Sequence, residues 1–198
     1  MTYPKEHFLI MQPDSVRKTL ARLKTNSRRV PSERYLSWKK GELVLIKHPF
    51  WRACDNLMND QIWDEFTRIT RWKHGGREIK NHDLVLDDNG KHIMLTKRSP
   101  LYLPRWGIRV IVRLTEDVYE EPLQNITPQD CEYEGILGES HASPVNGLPY
   151  EYYTNGDGLI YGTPVSAYRA LWDTLNAKRG FPWVSNPNVA VIRFEVVK

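Results

Sequence analysis

The hydrophobic positions of the chain fall in short blocks, and the blocks carry two different periods. From Ser15 to about Leu23, Val16, Leu20 and Leu23 recur at i, i+4 and i+7. That is the spacing of a buried helical stripe, and Asp14 just ahead of it can act as the cap. Thr25, Asn26 and Ser27 compete for backbone hydrogen bonds, so the helix is expected to stop near Lys24 and give way to a loop. Lys39-Lys40-Gly41 reads as a turn. Leu43-Val44-Leu45-Ile46 follows as an apolar run too short for a helix and predicts a buried strand.

Residues 55 to about 100 read as an insertion. It begins with a helix capped by Asp60, with Ile62, Phe66 and Ile69 turned inward. A hairpin follows, in which Asp88-Asn89-Gly90 joins Asp83-Leu84-Val85-Leu86 to His92-Ile93-Met94-Leu95. Ile108, Val110, Val112 and Leu114 alternate with Arg109 and Arg113 and predict a half-buried strand. Ile111 interrupts the polar side, so that face is expected to be partly covered.

Thr127 and Pro128 open a helix of about two turns that closes at Gly135, with Glu134 on its last turn. Residues 138–162 are rich in Gly, Pro, Asn and Tyr and read as a long loop. Thr163-Pro164 opens another helix, with Val165, Tyr168, Leu171 or Trp172, and Leu175 as its stripe; Lys178-Arg179-Gly180 ends it. Val189 to Val197 predicts a last strand. Short strands with a few helices between them give an α+β class, with a small mixed or barrel-like sheet and helices packed on its ends.

Composition changes this picture little. The 198 residues are 40% hydrophobic and 26% charged, which suits one domain carrying an insertion. Cys54 and Cys131 form no disulfide framework. The N-terminus has no signal-like run and no stretch could span a bilayer, so a cytoplasmic protein is expected. Charge adds more. The net +4 hides a basic front end: residues 1–52 hold 12 Lys+Arg against 4 Asp+Glu, and the remainder 16 against 20. An excess of this kind points to a polyanion partner, nucleic acid first, or to a solvated basic face.

The densest chemistry lies in Lys24-Thr25-Asn26-Ser27-Arg28-Arg29. A serine hydroxyl becomes a nucleophile only when a neighbour takes its proton. A lysine does so only when desolvation or nearby positive charge lowers its pKa. A charged Lys24 would instead grip a phosphate, with Ser27 as a cap and Glu134 paired with Arg28; both readings stay open here. Arg105-Trp106 and Trp51 offer cationic and aromatic surface for stacking, or core. Tyr150, Tyr152 and Tyr153 could close over a ligand. His48, His74, His82 and His92 lack metal-ligand spacing with the cysteines, so no metal site is expected. The deaminase signature H-x-E with P-C-x-x-C is absent. Asn155-Gly156-Asp157-Gly158 is not followed by the Lys-Ser/Thr of a phosphate loop, and no cofactor is implied.

Leu23-Lys24-Thr25-Asn26-Ser27-Arg28-Arg29 resembles the G-R-K-T-x-T-x-R signature of ASCH domains, members of the PUA-like superfamily. Lys40 to Val44 is similar to the x-G-D-x-l stretch that follows it in the family. Ile126 to Gly135 resembles the l-T-x-x-x-A-x-x-E-G helix, and Val189 to Val197 the closing strand. Leu103-Pro104-Arg105-Trp106, Leu171 to Asn176, and Asn186-Pro187 look closest to phage- and prophage-encoded ASCH-like proteins. The resemblance leaves out roughly 55–98 and 138–160. It departs at Arg22, where the family has glycine, and at Ser27, where it has threonine.

What the resemblance implies is one PUA-like domain over 1–198: a small curved β-barrel with flanking helices, an insertion at 55–100 and a long loop at 138–162. It implies a cleft that binds nucleic acid or a modified nucleoside, with Lys24, Thr25, Arg28, Arg29, Arg105 and Trp106 as binding residues. It also implies an alternative, an amidohydrolase that deacylates N(4)-acetylcytidine-type nucleosides, with Lys24, Ser27 and Glu134 as catalytic residues. A ribonuclease or a phage interaction protein are further alternatives.

Overall fold

The computed structural model describes residues 5–54, 60–63, 84–86, 92–142 and 149–197. The described chain is mixed α+β. Its centre is a sheet with strand order β1 (Glu6–Ile10), β3 (Leu43–Lys47), β8 (Val110–Leu114), β12 (Asn188–Val196) and β2 (Asn26–Arg29); β9 (Tyr119–Pro122) also pairs with β12. The sheet curls into a half-barrel, with β1 and β2 as its two edges. β1 runs parallel to β3, while β3–β8, β8–β12 and β12–β2 are antiparallel.

Alternation along β12 sets the two cores. Ala190, Ile192 and Phe194 face the concave side with Leu9, Val44, Ile46, Val110 and Val112. Val189 and Val191 face the opposite side, where they meet Cys131 of α3 (Pro128–Tyr133) and Tyr168 and Trp172 of α4 (Pro164–Asn176). Period-two patterning thus sends one strand's residues into two separate hydrophobic layers. Burial pushes the Cys131 thiol up to about 12, so this cysteine is an inert core residue.

Several expectations change. α1 runs Pro13–Leu20, with Gln12 rather than Asp14 at the N-cap. Pro13 fits the first helical turn because its missing N–H needs no partner there, and Asp14 pairs one turn on with Lys18 at 2.9 Å. A helix that ends at Leu20 leaves Leu20 and Leu23 exposed, and only Val16 of the expected stripe is buried, beside Thr19. The expected loop from Thr25 becomes β2, because Asn26 to Arg29 find ladder partners on β12. Asp60–Trp63 is a strand, β5, rather than a helix start; it pairs with β4 (Phe50–Cys54) and places Trp63 opposite Trp51. Phe66 and Ile69 lie outside the described residues.

The hairpin in this stretch stands, with β6 (Leu84–Leu86) antiparallel to β7 (His92–Arg98); its Asp88-Asn89-Gly90 turn lies outside the described residues. The long loop resolves into a second hairpin, β10 (Leu137–Ala142) and β11 (Pro149–Thr154). Gly138 there lies opposite Tyr153, and a Cβ at 138 would come within 2.9 Å of the tyrosine ring. A glycine that accepts a cross-strand aromatic is a strand device, although composition alone reads it as a loop. In α4 the buried residues are Pro164, Ala167, Tyr168, Trp172 and Asn176, while Leu175 is exposed. Ile111 packs against a third cluster with Leu45, Phe50, Leu103 and Ile108, so the outer side of β8 is covered as its broken alternation implied. Among the described residues no helix is long and apolar enough to cross a membrane.

Candidate functional site at the seam of the half-barrel

The site begins where α1 ends. Leu23 N–H reaches back to the Lys18 carbonyl and Arg22 N–H to that of Thr19, the paired bonds of a Schellman ending. This ending needs a left-handed residue, and Arg22 supplies it with φ 58°. From there Lys24 turns inward, Thr25 N–H bonds to the Tyr133 carbonyl of α3 at 2.8 Å, and Phe194 N–H bonds to the Thr25 carbonyl at 2.9 Å. α3 is itself fixed by a capping box between Thr127 and Asp130 and closes at Gly135 with φ 93°. Glu134 therefore sits at a determined point, 110 residues beyond Lys24 in sequence and in contact with it in space.

The floor of the site is a buried set of ion pairs. Lys24 Nζ donates to Glu134 Oε2 at 2.6 Å and to the Glu134 carbonyl at 2.8 Å. Arg28, whose side chain has 0% exposure, donates through Nε and Nη2 to Glu121 Oε1 at 3.1 and 2.8 Å. It also approaches Asp130 Oδ2 at 3.3 Å. Arg193 Nη2 and Asn26 Nδ2 complete the shell around Asp130 Oδ1 at 3.2 and 3.4 Å.

Lys24, Arg28 and Arg193 thus face Glu121, Asp130 and Glu134, with Glu116 also 3.3 Å from Arg193, so each cation of the floor is met by a carboxylate. Burial lowers the Lys24 pKa, partly offset by the charge and hydrogen bond of Glu134. For Arg28 burial works downward as well, but Glu134 and the bond to Glu121 outweigh it and raise the guanidinium further. Burial disfavours the Asp130 carboxylate, yet two bonds from Thr127 and the fields of Arg28 and Arg193 hold it below its usual range.

The rim is built differently. Arg29 follows Arg28 on β2, so it points to the other face of the strand. It donates through Nε to Ser27 Oγ at 3.1 Å and through Nη2 to the Ile10 carbonyl at 2.9 Å. The second bond spans the seam from edge strand β2 to edge strand β1. Arg34, on α2 (Glu33–Leu36), donates to the Phe8 carbonyl at 2.8 Å. Lys47 donates to the Leu101 carbonyl at 3.1 Å and lies 4.5 Å from the centroid of the Phe8 ring. Two carbonyls of edge strand β1, those of Phe8 and Ile10, are thereby capped with guanidinium groups. Among the described residues no carboxylate pairs with Arg29, Arg34 or Lys47, so their charge is uncompensated.

Between floor and rim lies a cavity of about 760 Å³, within the range typical of small-ligand sites. Lys24, Ser27, Arg28, Arg29 and Glu134 all reach it; Phe8, Ile10 and Leu101 form one wall, Tyr168 and Trp172 another. Other expected residues lie elsewhere. Thr25 is outside the lining, and Arg105 is exposed and bonded to Glu6 at 2.6 Å. The Trp106 and Trp51 side chains lie outside the described residues. Tyr152 and Tyr153 are no lid; their hydroxyls donate to Glu139 at 2.9 Å and Glu151 at 3.0 Å. Tyr150's side chain lies outside the described residues.

Ser27 and Lys24 share the cavity, but the lysine hydrogens go to Glu134 and the serine oxygen takes the Arg29 hydrogen. Sequence reading missed Phe8, Arg34, Lys47, Glu121 and Tyr168. The signal for the first was the His7-Leu9-Met11 alternation of an edge strand, masked by Phe8 and Ile10 between them. No protein-family model, no curated protein and no solved structure matches this chain.

Proposed function

We propose that this chain binds a nucleotide or modified nucleoside at the seam, either free or as part of a nucleic acid, with its phosphate on the rim and its base in the cavity. The architecture behind the proposal is the PUA-like, ASCH-type barrel. The curled sheet supports that assignment. The observation that carries the reading is the contrast in charge: a floor whose cations meet carboxylates, and a rim whose three cations, Arg29, Arg34 and Lys47, are tethered by uncharged groups alone. An anion gains nothing at the floor and is attracted to the rim. The apolar and aromatic walls between the two suit the flat face of a base.

Calorimetric titration with the four ribonucleoside 5′-monophosphates and the matching nucleosides tests this. At least one monophosphate binds at least tenfold tighter than its nucleoside, and the margin shrinks as salt rises from about 50 to 200 mM, because contacts to phosphate release counterions. Equal affinity of every such pair at low salt removes the phosphate from the reading.

A second reading, amidohydrolysis of an N-acylated nucleoside, is favoured by the Lys24–Glu134 pair. An amine with a lowered pKa, bonded at 2.6 Å to a carboxylate in a buried site, is suited to moving a proton. Glu134 takes a proton from an attacking water, and Lys24 gives one to the departing amine. Ser27 enters as nucleophile only if Arg29 releases its hydroxyl. Release of acetate from N(4)-acetylcytidine, lost by at least about 100-fold in Glu134→Gln, checks this reading. Absence of turnover by the unaltered chain excludes that substrate.

A further inference from the structure

Among the described residues the floor has two pairs of polar atoms without a hydrogen bond: Arg193 Nε with Glu116 Oε1, 3.3 Å apart on part-exposed side chains, and a second pair on residues that line the cavity. Arg28 Nη1 and Glu134 Oε1 are each buried and each without a hydrogen-bond partner among the described residues. They lie 3.7 Å apart, too far to bond to one another. The other polar atoms of these two groups are committed: Arg28 Nε and Nη2 to Glu121, and Glu134 Oε2 to Lys24. The side chains are 0% and 5% exposed, so bulk water does not solvate what is left over. A buried donor and a buried acceptor without partners are costly and rare, and on two residues that line one cavity they call for a group that satisfies both.

We infer that Arg28 Nη1 and Glu134 Oε1 form a reading edge for one neutral amide or amidine edge of a base: a ring nitrogen or carbonyl oxygen accepts from Arg28, and the adjacent N–H donates to Glu134. The inference rests on the nucleotide reading of the cavity and adds which part of the ligand the floor contacts.

Three features select this class. The pairing of Arg28 with Glu134 disfavours an anion, because a second carboxylate or phosphate would face Glu134 at close range, and it disfavours a cation, which would face Arg28. Neighbouring acceptor and donor atoms of a base lie about 2.3 Å apart from ordinary bond lengths, so two bonds of ordinary length splay only slightly to reach atoms 3.7 Å apart. Tyr168 and Trp172 line the same cavity and give the ring of such a group apolar contact. The reader is also rigid. Arg28 is held by Glu121, and Glu134 by Lys24 and by the end of α3, so little ordering accompanies binding.

The test alters the ligand and leaves the chain unaltered. The four ribonucleoside 5′-monophosphates and ribose 5-phosphate are titrated calorimetrically at low salt. The tightest nucleotide is then compared with the 5′-monophosphate that lacks its edge hydrogen: the 2-pyrimidinone riboside for cytidine, the purine riboside for adenosine, 3-methyluridine for uridine or 1-methylguanosine for guanosine. The expected result is that at least one nucleotide binds tenfold or more tighter than ribose 5-phosphate and that removing its edge hydrogen loses a further 10- to 100-fold. Ribose 5-phosphate binding as tightly as every nucleotide overturns the edge alone and leaves the rim standing. A nucleotide and its edge-less analogue binding equally do the same. No binding of ribose 5-phosphate or of any nucleotide overturns the rim, and the edge with it.

Discussion

Arg28 and Arg29 are neighbours in sequence, identical in chemistry, and opposite in circumstance. Arg28 lies in the floor against Glu121, Asp130 and Glu134. Arg29 lies at the rim, where its guanidinium touches a serine hydroxyl and the carbonyl of Ile10. The difference arises from a strand's period of two: one side chain is sent toward α3 and α4, the next across the seam toward β1. The lesson is that a run of basic residues is not one electrostatic object. Its members must be divided by the partner each one meets, and only those without a carboxylate remain available to an anion.

That division can be broken in several ways, beginning with the largest expected effect. Glu134→Leu strands the Lys24 ammonium and deprives Arg28 of a neighbour, and removing one member of a buried pair costs about 3–5 kcal/mol. A fall in unfolding free energy of that size, read from denaturant curves, is expected, and a change under about 1 kcal/mol would mean that the floor is solvated. Arg28→Met and Arg29→Met sharpen the contrast directly. The first is expected to cost about 3 kcal/mol or more by the same logic. The second should cost about 1 kcal/mol, because it loses only neutral hydrogen bonds at a partly exposed position. Similar losses for the two would erase the distinction between floor and rim.

Binding inverts the order. Arg29→Gln with Arg34→Gln and Lys47→Gln leaves the fold in place. It should reduce the slope of log K against log salt for a nucleic acid by about 2, near the value for three phosphate contacts along a single strand. An unchanged slope places the polyanion elsewhere.

Protonation gives a smaller effect with a defined sign. Lys24 has a folded-state pKa below its unfolded one, so between those two values the unfolded chain holds more protons. The contribution of Lys24 to stability therefore rises with pH until the unfolded lysine itself titrates, near about 10.4. Asp130 acts at the other end: its folded pKa is lowered, so its stabilisation is present above about 3.9 and lost as the pH falls through the folded value. Melting curves of the unaltered chain and of Asp130→Asn should converge in strong acid and diverge at neutral pH; parallel curves would contradict the ion-pair geometry. Smallest of all, Arg22→Gly relieves the left-handed strain and should raise stability by about 0.5–1 kcal/mol, read as a small upward shift in melting temperature.

What sequence could show depended on range. The helix of Thr127 to Gly135 was legible because its signals are local: a capping threonine, a proline in the first turn, and a glycine with positive φ at the end. The β8 strand was legible from its alternation, and the last strand, expected over Val189 to Val197, is found at Asn188–Val196. β2 was not, because Asn26, Ser27 and Arg28 have side chains that favour loops, and what makes them a strand is hydrogen bonding to residues 190–193, far along the chain. The same distance hid the site. Lys24 and Glu134 could be named as a pair from the resemblance, but neither composition nor spacing tells that Arg28 is absorbed by Glu121, or that Arg34 and Lys47 meet at the seam.

The most direct test of the central division is a nitrogen–proton correlation spectrum of the arginine Nε groups during titration with ribose 5-phosphate, a ligand with no base to reach the floor. The resonances of Arg29 and Arg34 should move progressively toward saturation while that of Arg28 stays fixed. Movement of Arg28 with Arg29 and Arg34 unmoved would contradict the account.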